Sequence, residues 1–179
     1  MRFKKIIGEK VYLSPRDIND AKKYTEWVNN YDTAKYINQI TRIIDIQYEE
    51  EYLAKRKYDS YDFAIVDKET DELIGSIGLM NIDYIDRTAE LGIFIGVEDH
   101  LSKGYGSDAI RILLDYGFNQ LNLHNIMLKV YDFNKRAIKA YEKCGFKKYG
   151  EWKESHYFEG KYHNEILMNI LKDDYNKNK

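Results

Sequence analysis

A chain of 179 residues is long enough to bury one substantial core, and its composition, 44% hydrophobic and 32% charged with both signs interleaved, excludes a disordered or fibrous protein. The formal net charge of −2, from 30 acidic and 28 basic residues, lacks the electropositive field that nucleic acid demands. The apolar stretch Ile6-Ile7 is far too short for a signal-peptide core or a membrane span, so neither nucleic acid nor a membrane is an expected partner.

In chain order, Val11-Tyr12-Leu13 reads as a strand ended by Ser14-Pro15, after which Ala21, Tyr24, Val28 and Tyr31 recur at helical spacing. A second helix is expected over 45–57. Phe63-Ala64-Ile65-Val66 is a buried-strand run closed by a polar turn over 67–71, and strands over 73–82 and 89–95 extend it into an antiparallel meander. Ile110, Leu113, Leu114, Gly117, Phe118 and Leu121 share one face of an amphipathic helix that Gly106 or Ser107 begins. A strand over 126–131 follows, then a helix over 135–144 stopped by Gly145, then two strands over 147–158 and 163–171 around the turn Glu159-Gly160-Lys161. The order βααβββαβαββ predicts an α/β (α+β) fold, a mixed sheet with helices on its faces. Pro15 is the only proline and no low-complexity stretch offers a linker, which predicts one domain over 1–172 and a polar, frayed tail over 173–179.

Cys144 is the only cysteine, so no intramolecular disulfide or multi-thiolate metal site can form, and a reducing, cytoplasmic setting is expected. His100, His124, His156 and His163 show no helical metal-ligand pairing, so no metal is expected. Self-association into a homo-oligomer is left open by the composition.

The segment Lys103-Gly104-Tyr105-Gly106-Ser107-Asp108-Ala109 joins a strand and loop to a helix N-terminus. The first amides of a helix have no internal acceptor and lie at the positive end of its dipole, and glycines let backbone approach a pyrophosphate. Taken alone, these glycines fit a tight turn, a phosphate site, or the dinucleotide fingerprint Gly104-x-Gly106-x-x-Ala109 with Asp132 downstream. The antiparallel meander upstream and the loop over 96–103 argue against the dinucleotide fold, whose strands and helices alternate and whose first strand runs directly into the glycines.

Three blocks resemble the GNAT superfamily of N-acetyltransferases: Ala89-Glu90-Leu91-Gly92-Ile93-Phe94-Ile95, the glycine segment, and the run from Asn134 to Phe146. The stretches Gly150-Glu151-Trp152 and Tyr157-Phe158-Glu159-Gly160-Lys161-Tyr162 are similar to the branch that contains ribosomal-protein and spermidine acetyltransferases. The resemblance implies a mostly antiparallel central sheet flanked by helices, acetyl-CoA as co-substrate, and an amine as acceptor. It implies that Ile93, Phe94 and Ile95 contact the cofactor through backbone on a splayed strand, and that Lys103, Gly104, Tyr105, Gly106 and Ser107 hold its pyrophosphate. The family pattern carries Gln or Arg three residues before the first glycine, where this chain has Leu101, whose side chain cannot bond a phosphate.

Acyl transfer to an amine needs a neutral nucleophile, a stabilised oxyanion and a proton for the leaving thiolate. Primary amines have pKa values near ~10, so a base is required at neutral pH, and Glu90 is the candidate, directly or through water. A solvated strand glutamate paired with a base such as Arg87 is the competing reading. Tyr141 stands seven residues after Asn134, a spacing that the resemblance assigns to the general acid, although Ala137, Tyr141 and Cys144 also share a helix face suited to the core. Asn134 is both a candidate cofactor contact and a helix N-cap. Lys135, Lys139 and Lys143 form a charged helix face, of which Lys143 is the candidate for a CoA phosphate. Cys144 has no histidine at a diagnostic spacing, so direct transfer is expected over a thiol-bound acyl group. For the acceptor, Asp45, Glu49, Glu50 and Glu51 could gather the cations of a polyamine or form a solvated helix face. A protein N-terminus as acceptor would require an open groove between the first two helices and the last hairpin. A CoA-binding sensor without turnover is the remaining reading, and the presence of Glu90 and Tyr141 argues against it.

Overall fold

An eight-stranded sheet organises the computed structural model of the chain, which describes residues 2–37, 39–55 and 60–177. The chain opens with a hairpin, β1 (Ile6–Ile7) and β2 (Val11–Pro15), absent from the sequence expectation in its first strand because two exposed-edge residues carry no periodicity. Val11, Tyr12 and Leu13 of β2 are fully buried. Two short helices follow, α1 (Ala21–Asn29) and α2 (Tyr31–Ala34), with Asn30 between them accepting from the amides of Asp32 and Thr33. The next helix, α3 (Ile46–Ala54), starts where the Asp45 side chain accepts from the Tyr48 amide at 2.8 Å. It ends at Ala54, short of the expected Lys57, which lies outside the described residues.

The meander β3 (Tyr61–Asp67), β4 (Leu73–Asp83) and β5 (Thr88–Ile95) forms as expected. After a loop, α4 (Tyr105–Asp115) runs into a wider turn over Tyr116–Gln120, with Ala109, Ile110, Leu113, Leu114 and Phe118 buried against the sheet. β6 (Asn125–Tyr131), α5 (Lys135–Lys143), β7 (Lys147–Phe158) and β8 (Lys161–Leu171) complete the sheet in the order β1-β2-β3-β4-β5-β6-β8-β7. Neighbouring strands are antiparallel except β5 and β6, which are parallel. The segment expected as a frayed tail instead forms α6 (Lys172–Lys177), because Tyr175 anchors it. The Tyr175 ring packs 5.1 Å from Phe118 and its hydroxyl donates to Asp115 at 2.9 Å. No helix among the described residues is long and apolar enough to cross a membrane.

One irregularity of pairing shapes the molecule. β5 pairs with β4 through Gly75↔Ile95, and β6 pairs with β8 through Tyr131↔Glu165. Yet β5 and β6 pair only at Thr88↔Asn125, Ala89↔Ile126 and Glu90↔Met127. Past Glu90 the two strands part, each still held by its outer neighbour, and the sheet opens from the middle. α4 is fixed over this opening by Asp108, which is 5% exposed. Its carboxylate accepts from the amides of Lys10 at 2.8 Å, Val11 at 3.0 Å and Glu9 at 3.3 Å. A buried carboxylate meeting three amides clamps the helix to the β1–β2 hairpin.

Candidate active site

The opened sheet forms one wall of a cleft of about 1440 Å³ that runs from α4 and α5 to α1, α2 and α3. β5 presents its free edge to it. The Gly96 amide donates to the Ile74 carbonyl at 2.9 Å, so Gly96 points toward β4. Strand alternation then turns the amides of Ile93 and Ile95 the opposite way, toward the gap left by β6, and gives the Phe94 amide to β4. The Phe94 ring packs against Tyr24 at 6.1 Å and Trp27 at 6.0 Å, which fixes α1 on the sheet. Of the expected trio, Ile93 and Ile95 therefore offer donors to a ligand, while the Phe94 side chain supports the wall.

The N-terminus of α4 closes one end. Gly104 caps it at φ 91°, a left-handed conformation that glycine adopts without strain, and no side chain caps the helix. The first-turn amides of Tyr105, Gly106 and Ser107 are left without internal acceptors. A Cβ at Gly106 would meet only Ile95 and Ile93, at 3.8 and 3.9 Å, so the fold does not itself demand glycine there. What the missing side chain leaves open is the approach to the amides. These donors, with Arg111, Lys139 and Lys143 on the same cleft, suit the diphosphate and pantetheine arm of acetyl-CoA.

Lys103 and Tyr105, expected at the cofactor, are not among the residues that line the cleft. Lys103 is exposed, and the Tyr105 ring lies 4.6 Å from His100 and under the Lys10 ammonium at 5.2 Å. His100 is tied to Asp67 at 3.0 Å. Against a burial that would raise it, bonds from the Glu69 amide, His100, the Thr70 amide and the Tyr105 hydroxyl hold the Asp67 carboxyl below its usual range. Leu101 lines the cleft where the family pattern has a polar residue.

Glu90 sits at the fork, on the last residue pair before β5 and β6 separate. Its side chain is 23% exposed and contacts Lys129 of β6 at 3.5 Å, with Asn81 donating to it at 3.2 Å. The basic neighbour is thus Lys129, across the fork, and not the exposed Arg87 named from sequence. Tyr141 of α5 faces the same cleft, 7% exposed, its ring edge-on to Phe146 at 5.9 Å. Burial and the neighbouring Cys144 push its phenol well above the ordinary value, so the proton stays on. Its hydroxyl has no hydrogen-bond partner among the described residues.

Asn134 caps α5, its Oδ1 accepting from the Ala137 amide at 3.2 Å, and it also lines the cleft. Lys135 does not line it, whereas Lys139 and Lys143 do. Cys144 donates to the Ser107 carbonyl at 3.6 Å, and burial pushes its thiol up, which keeps it protonated and bracing the glycine segment from behind. His163 pairs with Asp132 at 3.1 Å, and His156 stacks on Tyr131 at 4.1 Å, both inside an aromatic cluster. Among the described residues no group of three or more His, Cys, Asp and Glu could hold a metal. Of the acidic residues near α3, Asp45 is the cap and Glu50 and Glu51 are exposed, leaving only Glu49 turned into the cleft. Asp108 and the Arg16–Asp62 pair at 3.2 Å were not singled out from sequence, since their partners lie far along the chain.

Comparison with known proteins agrees with this geometry. The family model of the acetyltransferase (GNAT) domain matches residues 10–147. An uncharacterized N-acetyltransferase p20 of Bacillus licheniformis is 31% identical over 93% of this chain and 96% of its own length. The spermidine N(1)-acetyltransferase of Escherichia coli K12 is 30% identical over 92% of this chain and 88% of its own. The crystal structure of a spermidine N-acetyltransferase from Vibrio cholerae, in complex with CoA and spermine, superposes with a TM-score of 0.83 at 31% identity, covering 93% of this chain and 98% of that one. With a forked sheet, an uncapped glycine-led helix and a family match over most of its length, the chain belongs to the GNAT family of acetyl-CoA-dependent N-acetyltransferases.

Proposed function

We propose that the chain acetylates a primary amine of a polyamine of the spermidine class by direct transfer from acetyl-CoA. The observation that carries this reading is the fork at Glu90, which brings free β5 amides, the α4 N-terminus, Glu90 and Tyr141 onto one cleft. The likeness to the spermidine enzymes of Escherichia coli and Vibrio cholerae supports the acceptor class.

Acetyl-CoA supplies the activated thioester. Tyr105, Gly106 and Ser107 bind its diphosphate through their amides, and Ile93 and Ile95 hold the pantetheine arm and polarise the carbonyl. Glu90 takes the proton from the acceptor ammonium, directly or through water, with the Lys129 ammonium 3.5 Å away orienting its carboxylate. Tyr141 protonates the departing thiolate, for which its retained proton suits it. Cys144, protonated and bonded to Ser107, takes no acyl group.

Acetylation of a protein N-terminus is less favoured, because it would require an open groove between the first two helices and the last hairpin, and α2 and the β7–β8 hairpin are in contact. Tyr31 packs on Phe158 at 6.2 Å and donates to Glu159 at 2.9 Å, and Tyr36 packs on Phe133 at 6.0 Å. A thiol-release assay with acetyl-CoA against polyamines, amino acids, aminoglycosides and short peptides tests the reading. Release with spermidine is expected, and release with peptides alone would replace this reading by the N-terminal one.

A further inference from the structure

Of the glutamates that α3 carries, Glu49 alone is inside, at 6% exposure, and it lines the cleft beside Tyr24 and Tyr52. No hydrogen bond or ion pair holds its carboxylate among the described residues. The cation that bears on it, Arg16, is engaged elsewhere, 3.2 Å from Asp62 and 5.0 Å over the Tyr52 ring. The Tyr24 hydroxyl donates to the Gly75 carbonyl at 3.4 Å and so does not reach it. Burial pushes the Glu49 carboxyl up. A carboxylate drawn partly out of water at the cleft wall, with no bonded partner among the described residues, is unfavourable, and a place in the first turn of α3 compensates it only in part.

The position fits a second charge on the acceptor. Asp62, bonded to Arg16, pairs with Gly78, which pairs with Gly92 on β5. Two inter-strand spacings, about 10 Å, separate that edge of the cleft from the strand carrying Glu90. An amine several methylenes from the reacting nitrogen reaches across such a gap.

We propose that Glu49 is the specificity-determining anchor for the distal ammonium of a polyamine acceptor, selecting di- and polyamines over monoamines. The inference rests on the polyamine reading above. The two glutamates divide the work: Glu90 accepts a proton from the nitrogen that must become neutral, and Glu49 binds the nitrogen that stays charged. The incoming ammonium supplies the hydrogen bonds that Glu49 lacks among the described residues.

Initial-rate kinetics with spermidine and with butylamine, on wild type, Glu49→Gln and the solvent-facing control Glu50→Gln, test this. Wild type is expected to favour spermidine in kcat/KM. Glu49→Gln should lower kcat/KM for spermidine roughly 10- to 100-fold, mainly through KM, and shrink the preference over butylamine by a similar factor. Glu50→Gln should change either value by less than about twofold. Thermal unfolding of Glu49→Gln should give a Tm equal to or above wild type, since an unpaired buried charge is removed. Unchanged spermidine kinetics in Glu49→Gln, a wild type indifferent between the two amines, or an equal loss for both amines with a lowered Tm would each overturn the anchor. A wild type that acetylates no polyamine overturns instead the reading on which the anchor stands.

Discussion

The two ends of the cleft offer different groups to a ligand. The end built from β5 and α4 works through backbone: the free amides of Ile93 and Ile95 and the uncapped first turn after Gly104. The end built from α1, α2 and α3 offers side chains, chiefly Glu49 and the Arg16–Asp62 pair. Backbone donors survive a change of side chain, so the cofactor end is expected to tolerate Leu101 where the family pattern has a polar residue. Side-chain recognition has no such tolerance, and a single substitution at the acceptor end redirects specificity while leaving cofactor binding in place.

The sharpest way to break this division is at the residues that join the two ends. Tyr141→Phe keeps the ring that packs on Phe146 and removes only the proton donor. Stopped-assay kcat should fall about 100-fold or more, with the KM for acetyl-CoA shifted less than about threefold. Full turnover in this variant would make Tyr141 a core residue only. Glu90→Gln should lower kcat/KM at neutral pH by about 10- to 100-fold. Its residual rate should climb with pH toward the acceptor pKa near ~10, because the free-amine fraction grows as the lost base would have provided it. A flat pH profile would show that proton removal is not what Glu90 does.

Smaller effects sharpen the comparison at the cofactor end. Gly106→Ala meets only ordinary contacts with Ile93 and Ile95, and alanine favours a helix over glycine by about 0.5–1 kcal/mol. The Tm should therefore hold or rise while the KM for acetyl-CoA rises about tenfold, as the methyl crowds the approach to the amides. A fall in Tm with unchanged KM would reverse that assignment. Leu101→Gln, restoring a polar side chain on the cleft, should lower the KM for acetyl-CoA by only about two- to fivefold, since the amides already hold most of the diphosphate.

The same division explains what the sequence revealed. The amphipathic run from Ile110 to Phe118 was legible because a helical period is a local property, whereas the helix starts at Tyr105 behind the cap Gly104, before the expected Gly106 or Ser107. The meander and its turns were legible for the same reason. The fork was not, because Ile93-Phe94-Ile95 has one composition whether β6 pairs with it or leaves it, and only the resemblance pointed there. Asp108 sits inside the motif, yet its partners Lys10 and Val11 lie nearly a hundred residues away. In sequence Glu49 is one of an acidic run. Its helical spacing from Leu53, four residues on, was the available signal that it shares the inner face. Tyr175 gave α6 an anchor that a polar composition concealed.

Two-substrate steady-state kinetics with acetyl-CoA and spermidine test the central claim most directly. Transfer within one cleft requires both substrates together, so reciprocal plots at several spermidine concentrations should intersect, with one CoA released per acetylated amine. Parallel lines, or no spermidine-dependent release of CoA, would contradict it.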